Sequence, residues 1–319
     1  MRLRVLSFAL FIGLTALSVR SGEAQPTAQN SARAAPAASI EGAPVTIAQA
    51  RQYDITSRIT RRTYRVMVST PPMADAGAAY PVMYLLDGNS YFATATRTLA
   101  RLSFNKIVAP AIIVGIGYPT DDEAEPSQRR FLDLTPSSSK RADGSTTTAP
   151  TGDSDAFLRF VEEEVKPFVA ARYKVDSTRQ SFYGYSLGGL AVLRSLFRNP
   201  TAFSTYIVSS PSIWWDHKMV LADEEAFSKR ARAGELNLKI LVTSAGDEQY
   251  RGEDPKQLAA DARMVDNASE LAARLGALNP TRVVVARAIF EGEVHVSAPP
   301  ATLSRALRFA LPLSPPQSP

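Results

Sequence analysis

The 319-residue sequence predicts an α/β fold: a mostly parallel, doubly wound sheet flanked by helices, with antiparallel strands at its start. Three observations carry this. Continuous apolar runs at 80–86 and 109–116 suit central strands buried on both faces, and 205–209, 238–243 and 282–289 read as further strands. Helical patterns fall between them, as in Asp153–Ala170, where Phe157, Phe160, Val161, Val165 and Phe168 share one side. Finally, Gly184-Tyr185-Ser186-Leu187-Gly188-Gly189 joins a short apolar run to an apolar helical pattern. That is the strand–turn–helix setting in which G-x-S-x-G raises a nucleophilic serine out of a sheet.

From the N-terminus, Met1-Arg2-Leu3-Arg4 is a basic start and Val5–Val19 an apolar core. Ser21-Gly22-Glu23-Ala24 ends in the small residues of a peptidase site, so 1–24 reads as an export signal, with the mature protein periplasmic or secreted. The core is too short for a comfortable membrane span, and no stable membrane insertion is expected after cleavage. Residues 25–44, rich in Ala, Ser, Pro and Gln, read as a disordered linker. One catalytic domain is expected over 45–312, with a short tail at 313–319.

Gln52–Thr60 and Thr63–Val68 read as an antiparallel strand pair across an Arg-rich turn. Tyr80–Leu86 and Ala109–Ile116 are central strands. Pro119–Asp153 is polar and weakly periodic, as functional loops of that length often are. After the serine, Leu190–Phe197 is helical, Thr205–Ser209 and Leu238–Thr243 are strands, and Gln257–Leu278 is a helix. Arg282–Ile289 is the last strand and Ala301–Phe309 the closing helix.

The chain has no cysteine, which removes thiol catalysis and Cys-based metal sites. Its formal net charge is +5; signal cleavage would remove Arg2, Arg4, Arg20 and Glu23, leaving about +3. That mild balance permits an anionic substrate. No basic stripe with interleaved aromatics suggests nucleic acid. Only two histidines are present, without metal-ligand spacing, so neither a metal nor another cofactor is called for.

A serine nucleophile needs a base. His295 lies just past the last strand, where the order serine–acid–histidine of α/β hydrolases puts it. His217, after Trp214-Trp215-Asp216, reads as a rim residue. The acid should follow the strand 238–243, where the chain reads Ser244-Ala245-Gly246-Asp247-Glu248. Asp247 and Glu248 both qualify, and a Ser–His dyad is the alternative. The Leu187 N–H, at the start of the helix behind Ser186, can donate to an oxyanion. Asp87-Gly88-Asn89, at the end of the strand 80–86, would aim the Asn89 N–H as second donor or form an ordinary turn.

Together these pieces resemble the bacterial "putative esterase" family of α/β hydrolases, which includes enterochelin and related siderophore esterases. The resemblance rests on Leu85-Leu86-Asp87-Gly88, the run from Arg130 to Pro136, the run from Phe157 to Phe168, Gly184–Gly189, Ser210–Trp215 and Gly292-Glu293-Val294-His295. It implies a serine carboxylesterase centred on Ser186 and His295, acting on a small-molecule ester. The siderophore branch hydrolyses trilactones bearing ferric catecholates, and Arg130 matches the arginine that faces that anionic ligand. Trp214 and Trp215 would line the pocket. The family's glycine-acidic-x-acidic acid loop differs here: Gly246-Asp247-Glu248-Gln249 has its second carboxylate one place early. General carboxylesterase or acyltransferase activity, and a non-catalytic envelope ligand-binding role, are the other readings.

Overall fold

The computed structural model describes residues 42–72, 74–75, 77–120, 124–138, 149–249 and 262–313. The expected signal at 1–24, most of the linker and most of the tail lie outside them. Met1–Val45 and Thr46–Pro319 separate as two units, and everything below concerns the second.

β1 (Ala50–Thr56) and β2 (Thr63–Ser69) pair antiparallel, and β2 runs antiparallel to β4 (Ile112–Gly117). β3 (Tyr80–Leu85), β5 (Val175–Tyr185), β6 (Thr205–Ser209), β7 (Leu238–Ala245) and β8 (Val283–Phe290) complete the parallel part, in the order β1-β2-β4-β3-β5-β6-β7-β8. β4 and β6 are buried at every residue, as their unbroken apolar runs require.

Two helical layers cover the sheet. α1 (Gly88–Phe104) and the last helix, α9 (Pro299–Ala310), pack on one face over Met83, Leu85, Ile113, Tyr183 and Ile207. Most of the remaining helices lie on the other: α2 (Ala124–Leu134), α3 (Ser154–Phe160), which a π-turn at Val161–Val165 joins to α4 (Lys166–Ala170), then α5 (Leu187–Arg198). α6 (Trp215–Lys218), α7 (Glu224–Arg232) and α8 (Met264–Gly276) follow.

Three expectations change. α1 occupies the stretch after Asp87, where only a turn was expected; Phe92, Ala95, Thr96 and Leu99 give it a buried stripe. α2 forms inside the supposed loop Pro119–Asp153. Its local sequence is too polar to announce a helix, but Asp133, fully buried, accepts from Arg62 Nη2 at 2.8 Å and the Tyr64 hydroxyl at 3.1 Å. The Thr135 hydroxyl closes the helix by donating to the Phe131 carbonyl at 2.7 Å and accepts the Gly152 N–H at 2.9 Å. Burial pushes the Asp133 carboxyl up, while the Arg62 charge opposes that shift. The first strand also ends earlier than expected, because Ser57 caps a turn through Oγ to the Ile59 and Thr60 N–H groups.

Candidate active site

Ser186 stands between β5 and α5 with φ 61° and ψ −118°, a backbone conformation costly for a residue with a Cβ. The surroundings hold it there. Its N–H donates to the Ser209 carbonyl at 3.0 Å, and its own carbonyl accepts from the Leu190 N–H at 3.0 Å and the Ser212 N–H at 3.2 Å. A Cβ at Gly184 would collide with the Gly188 carbonyl, and one at Gly189 would strike the Ser209 carbonyl. The steric demand thus falls on Gly184 and Gly189, whereas a Cβ at Gly188 would only crowd the Asp87 carboxylate.

The imidazole of His295, from the loop after β8, bridges two partners. Nε2 lies 3.0 Å from Ser186 Oγ, and Nδ1 lies 2.7 Å from Glu248 Oε2. The tautomer with Nδ1 protonated lets Nδ1 donate to Glu248 and leaves Nε2 to accept from the serine. The Glu248 side chain is fully buried, and its Oε1 accepts the Ala245 N–H at 3.2 Å. Asp247 does not reach the imidazole: its N–H is tied to the Glu293 carbonyl at 2.9 Å, and the residue is exposed. The structure therefore brings together Ser186, His295 and Glu248, and leaves Asp247 outside.

Tyr185, next to the serine, also holds the histidine. Its hydroxyl donates to the His295 carbonyl at 2.6 Å, and its ring lies 5.1 Å from the imidazole at 44°. Burial pushes its phenol far above the usual value, so it stays a donor.

These groups open onto a cavity of about 680 Å³, within the range of small-molecule sites. Asp87, Asn89, Tyr91, Tyr118, Arg130, Tyr185, Ser186 and His295 are among its walls. Leu187 and Asn89 lie in the first turns of α5 and α1, so their N–H groups have no intrahelical acceptor. The Asn89 side chain fixes the end of β4: Oδ1 accepts the Tyr118 N–H at 2.7 Å, and Nδ2 donates to the Tyr118 carbonyl at 3.0 Å.

Arg130 lies on α2 at the cavity wall, 22 % exposed, with Nε and Nη2 each 2.8 Å from an oxygen of Asp87. Burial works against its charge, but the Asp87 carboxylate overrides that and raises its pKa. Asp87 itself is left-handed, φ 53° and ψ 46°, at the start of α1. The residue read from the sequence as a turn-former is thus also the arginine's partner.

The tryptophans are not on this wall. Trp215 is fully buried, its ring 6.3 Å from Phe131 and its Nε1 donating to Ser137 Oγ at 3.3 Å. Trp214 packs half-buried against the same core. Asp216, His217 and Lys218 are all left-handed, which turns the chain away after Trp215 and leaves His217 exposed. The aromatic walls are instead Tyr91, Tyr118 and Tyr185, none expected from the sequence. Tyr185 was inside the serine motif itself. Tyr91 and Tyr118 flank the ends of α1 and β4, which only the topology brings together.

A family model described as "Putative esterase" matches residues 57–278, a span holding Asp87, Arg130, Ser186 and Glu248. The chain belongs to this family. It is 38% identical over 263 residues to the ferri-bacillibactin esterase of Bacillus subtilis (strain 168), covering 81% of this chain and 88% of that protein. It is 36% identical over 242 residues to the siderophore triacetylfusarinine C esterase of Aspergillus fumigatus, covering 71% and 80%. The BES protein from Bacillus cereus superposes with a TM-score of 0.75 at 32% identity, over 86% of this chain and 99% of that one. The siderophore hydrolase EstA from Aspergillus nidulans gives 0.72 at 29%, over 85% and 97%. The fold is the α/β-hydrolase type, and the chain is a serine hydrolase acting on carboxylic esters.

Proposed function

We propose that this chain is an exported esterase that opens a siderophore trilactone through an acyl-enzyme on Ser186. The observation that carries the chemistry is the continuous relay from Ser186 Oγ through His295 to the buried Glu248. Ser186 Oγ attacks the ester carbonyl carbon and His295 Nε2 takes its proton. Glu248 holds the imidazole in register and stabilises its cation. The N–H groups of Leu187 and Asn89 receive the oxyanion. The C–O bond to the alcohol then breaks, His295 returns the proton to the leaving oxygen, and water clears the acyl-serine by the same route.

The substrate reading is supported by the names of the relatives above and by the Arg130 wall of the same cavity. Arg130 Nη1 has no acceptor among the described residues, and three tyrosine rings share its cavity. A cation beside aromatic faces suits an anionic catecholate ester that brings its iron with it. Export rests on the N-terminal 24 residues alone. The test measures hydrolysis of a ferric tricatecholate trilactone and a short p-nitrophenyl ester by wild type and Ser186→Ala. Serine-dependent preference for the trilactone is expected; cleavage of the simple ester alone would sink the substrate assignment and keep the mechanism.

A further inference from the structure

The two helical layers treat charge differently. On the α5 side, arginines are matched: Arg194 with Asp155 and Asp223, Arg274 with Glu224, Arg159 with Glu163. On the α1/α9 side they are not. No Asp or Glu occurs from Tyr91 to Thr120, nor from Ala298 to Pro319. That layer exposes Arg97, Arg101, Lys106, Arg305 and Arg308, and the edge strand β8 adds Arg287. None of the six pairs with a carboxylate among the described residues. Arg101 and Arg308 sit in last turns, where the helix dipole favours a cation. The dipole does not account for Arg287 on a strand, or for an entire layer without a carboxylate.

Apolar side chains share this face. Phe104 is 76 % exposed, Ile107 52 % and Leu313 48 %. Arg97, Arg101 and Phe104 recur at i, i+4 and i+7 and so form one stripe along α1. Ile107 and Leu313 border a cavity of about 420 Å³ whose wall also includes Arg287, Arg305, Arg308 and Phe309.

We propose that the α1/α9 face, with this cavity, docks on an anionic phospholipid surface, the arginines meeting lipid phosphates while Phe104, Ile107 and Leu313 enter the adjoining acyl region. A soluble phosphate would satisfy the arginines and leave the apolar side chains in water. Nucleic acid offers phosphates with no acyl layer beneath them, and an acidic protein would need apolar side chains matched to the positions of Phe104, Ile107 and Leu313. An anionic leaflet offers both within one layer. The contact is peripheral, since no helix among the described residues is long and apolar enough to cross a membrane.

The test is vesicle co-sedimentation of the chain from Gln25 onward, which removes the apolar leader that would itself enter lipid. Both hydrophobic cores lie within the compact Thr46–Pro319 unit, so this shortened chain retains the whole fold. Binding to phosphatidylglycerol–phosphatidylcholine vesicles is expected at low salt, with release near ~0.5 M salt and little binding to phosphatidylcholine alone. The combined charge reversal Arg101→Glu, Arg305→Glu and Arg308→Glu should weaken binding at least about tenfold. Phe104→Ser with Ile107→Ser should also weaken it about tenfold. Hydrolysis of a p-nitrophenyl ester, unchanged in every variant, shows that they fold. Wild type sedimenting equally with both vesicles, or charge-reversed protein binding like wild type, would overturn the proposal. So would apolar variants that bind like wild type, or inorganic phosphate at equal ionic strength releasing the protein; these point to a soluble anion or polyanion.

Discussion

The two walls of the Ser186 cavity are built from similar materials to different ends. On one wall a buried carboxylate, Glu248, holds a histidine against the serine at 2.7 and 3.0 Å. On the other a nearly buried carboxylate, Asp87, holds an arginine with two bonds of 2.8 Å. Glu248 faces a group that must change charge during each turnover. Asp87 faces one that stays charged throughout. The first wall is built to move a proton, the second to hold a cation in place for recognition. Changes on the relay wall should therefore lower the rate for every ester, and changes on the recognition wall should alter the ranking of esters.

The sharpest break is Ser186→Ala. It should lower kcat by about a million-fold on any ester while the melting temperature stays near that of wild type. Turnover of either substrate close to the wild-type rate would remove Ser186 from the relay.

Glu248→Gln comes next. A neutral amide keeps the size but no longer stabilises the imidazolium, and it can hold the ring in the wrong tautomer. A loss on the order of 10⁴-fold in kcat is expected. Asp247→Asn, one residue away, should stay within about twofold, since a surface change away from the relay has little to act on. Equal losses at the two positions would erase the distinction between them.

That pair also shows where the sequence stops being legible. Ser186 and His295 could be read because one lies in a local strand–turn–helix motif and the other is one of only two histidines. The choice between Asp247 and Glu248 depends on how a loop is rotated. The Asp247 N–H bonds to Glu293, on the histidine loop, turning one carboxylate out; Glu248 turns in toward the Ala245 N–H. The first of these contacts joins two loops far apart in the chain, so the strand before them does not announce it. The tryptophan pair was misread for a related reason: Trp215 fills the core beside Phe131, a residue more than eighty positions earlier, on a helix whose polar sequence had read as loop. The central strands, by contrast, could be read, because a continuous apolar run marks a strand buried on both faces before any partner is known.

On the recognition wall, Arg130→Ala should lower kcat/KM for a ferric catecholate trilactone about 10- to 100-fold more than for a neutral p-nitrophenyl ester, the value of a charge-assisted hydrogen bond. Removing Arg130 strands the Asp87 carboxylate, and that alone destabilises the fold. The double variant Asp87→Asn with Arg130→Ala relieves this stranded charge and should regain thermal stability without regaining the preference. An unchanged ratio of the two substrates would show that this wall does not read the ligand.

The smallest effect returns to the relay wall, at a residue that touches no substrate bond. Tyr185 donates to the His295 carbonyl, so Tyr185→Phe keeps the ring against the imidazole and deletes one hydrogen bond of 2.6 Å. One such bond contributes about 1 kcal/mol, so kcat should fall about fivefold with KM unchanged. Because the histidine serves every ester, the drop should be equal for trilactone and p-nitrophenyl ester, unlike that of Arg130→Ala. Tyr185→Leu, which also removes the ring face, should cost more. A change confined to KM, or to one substrate, would move Tyr185 from positioning the base to contacting the ligand, and the two walls would then overlap at this residue.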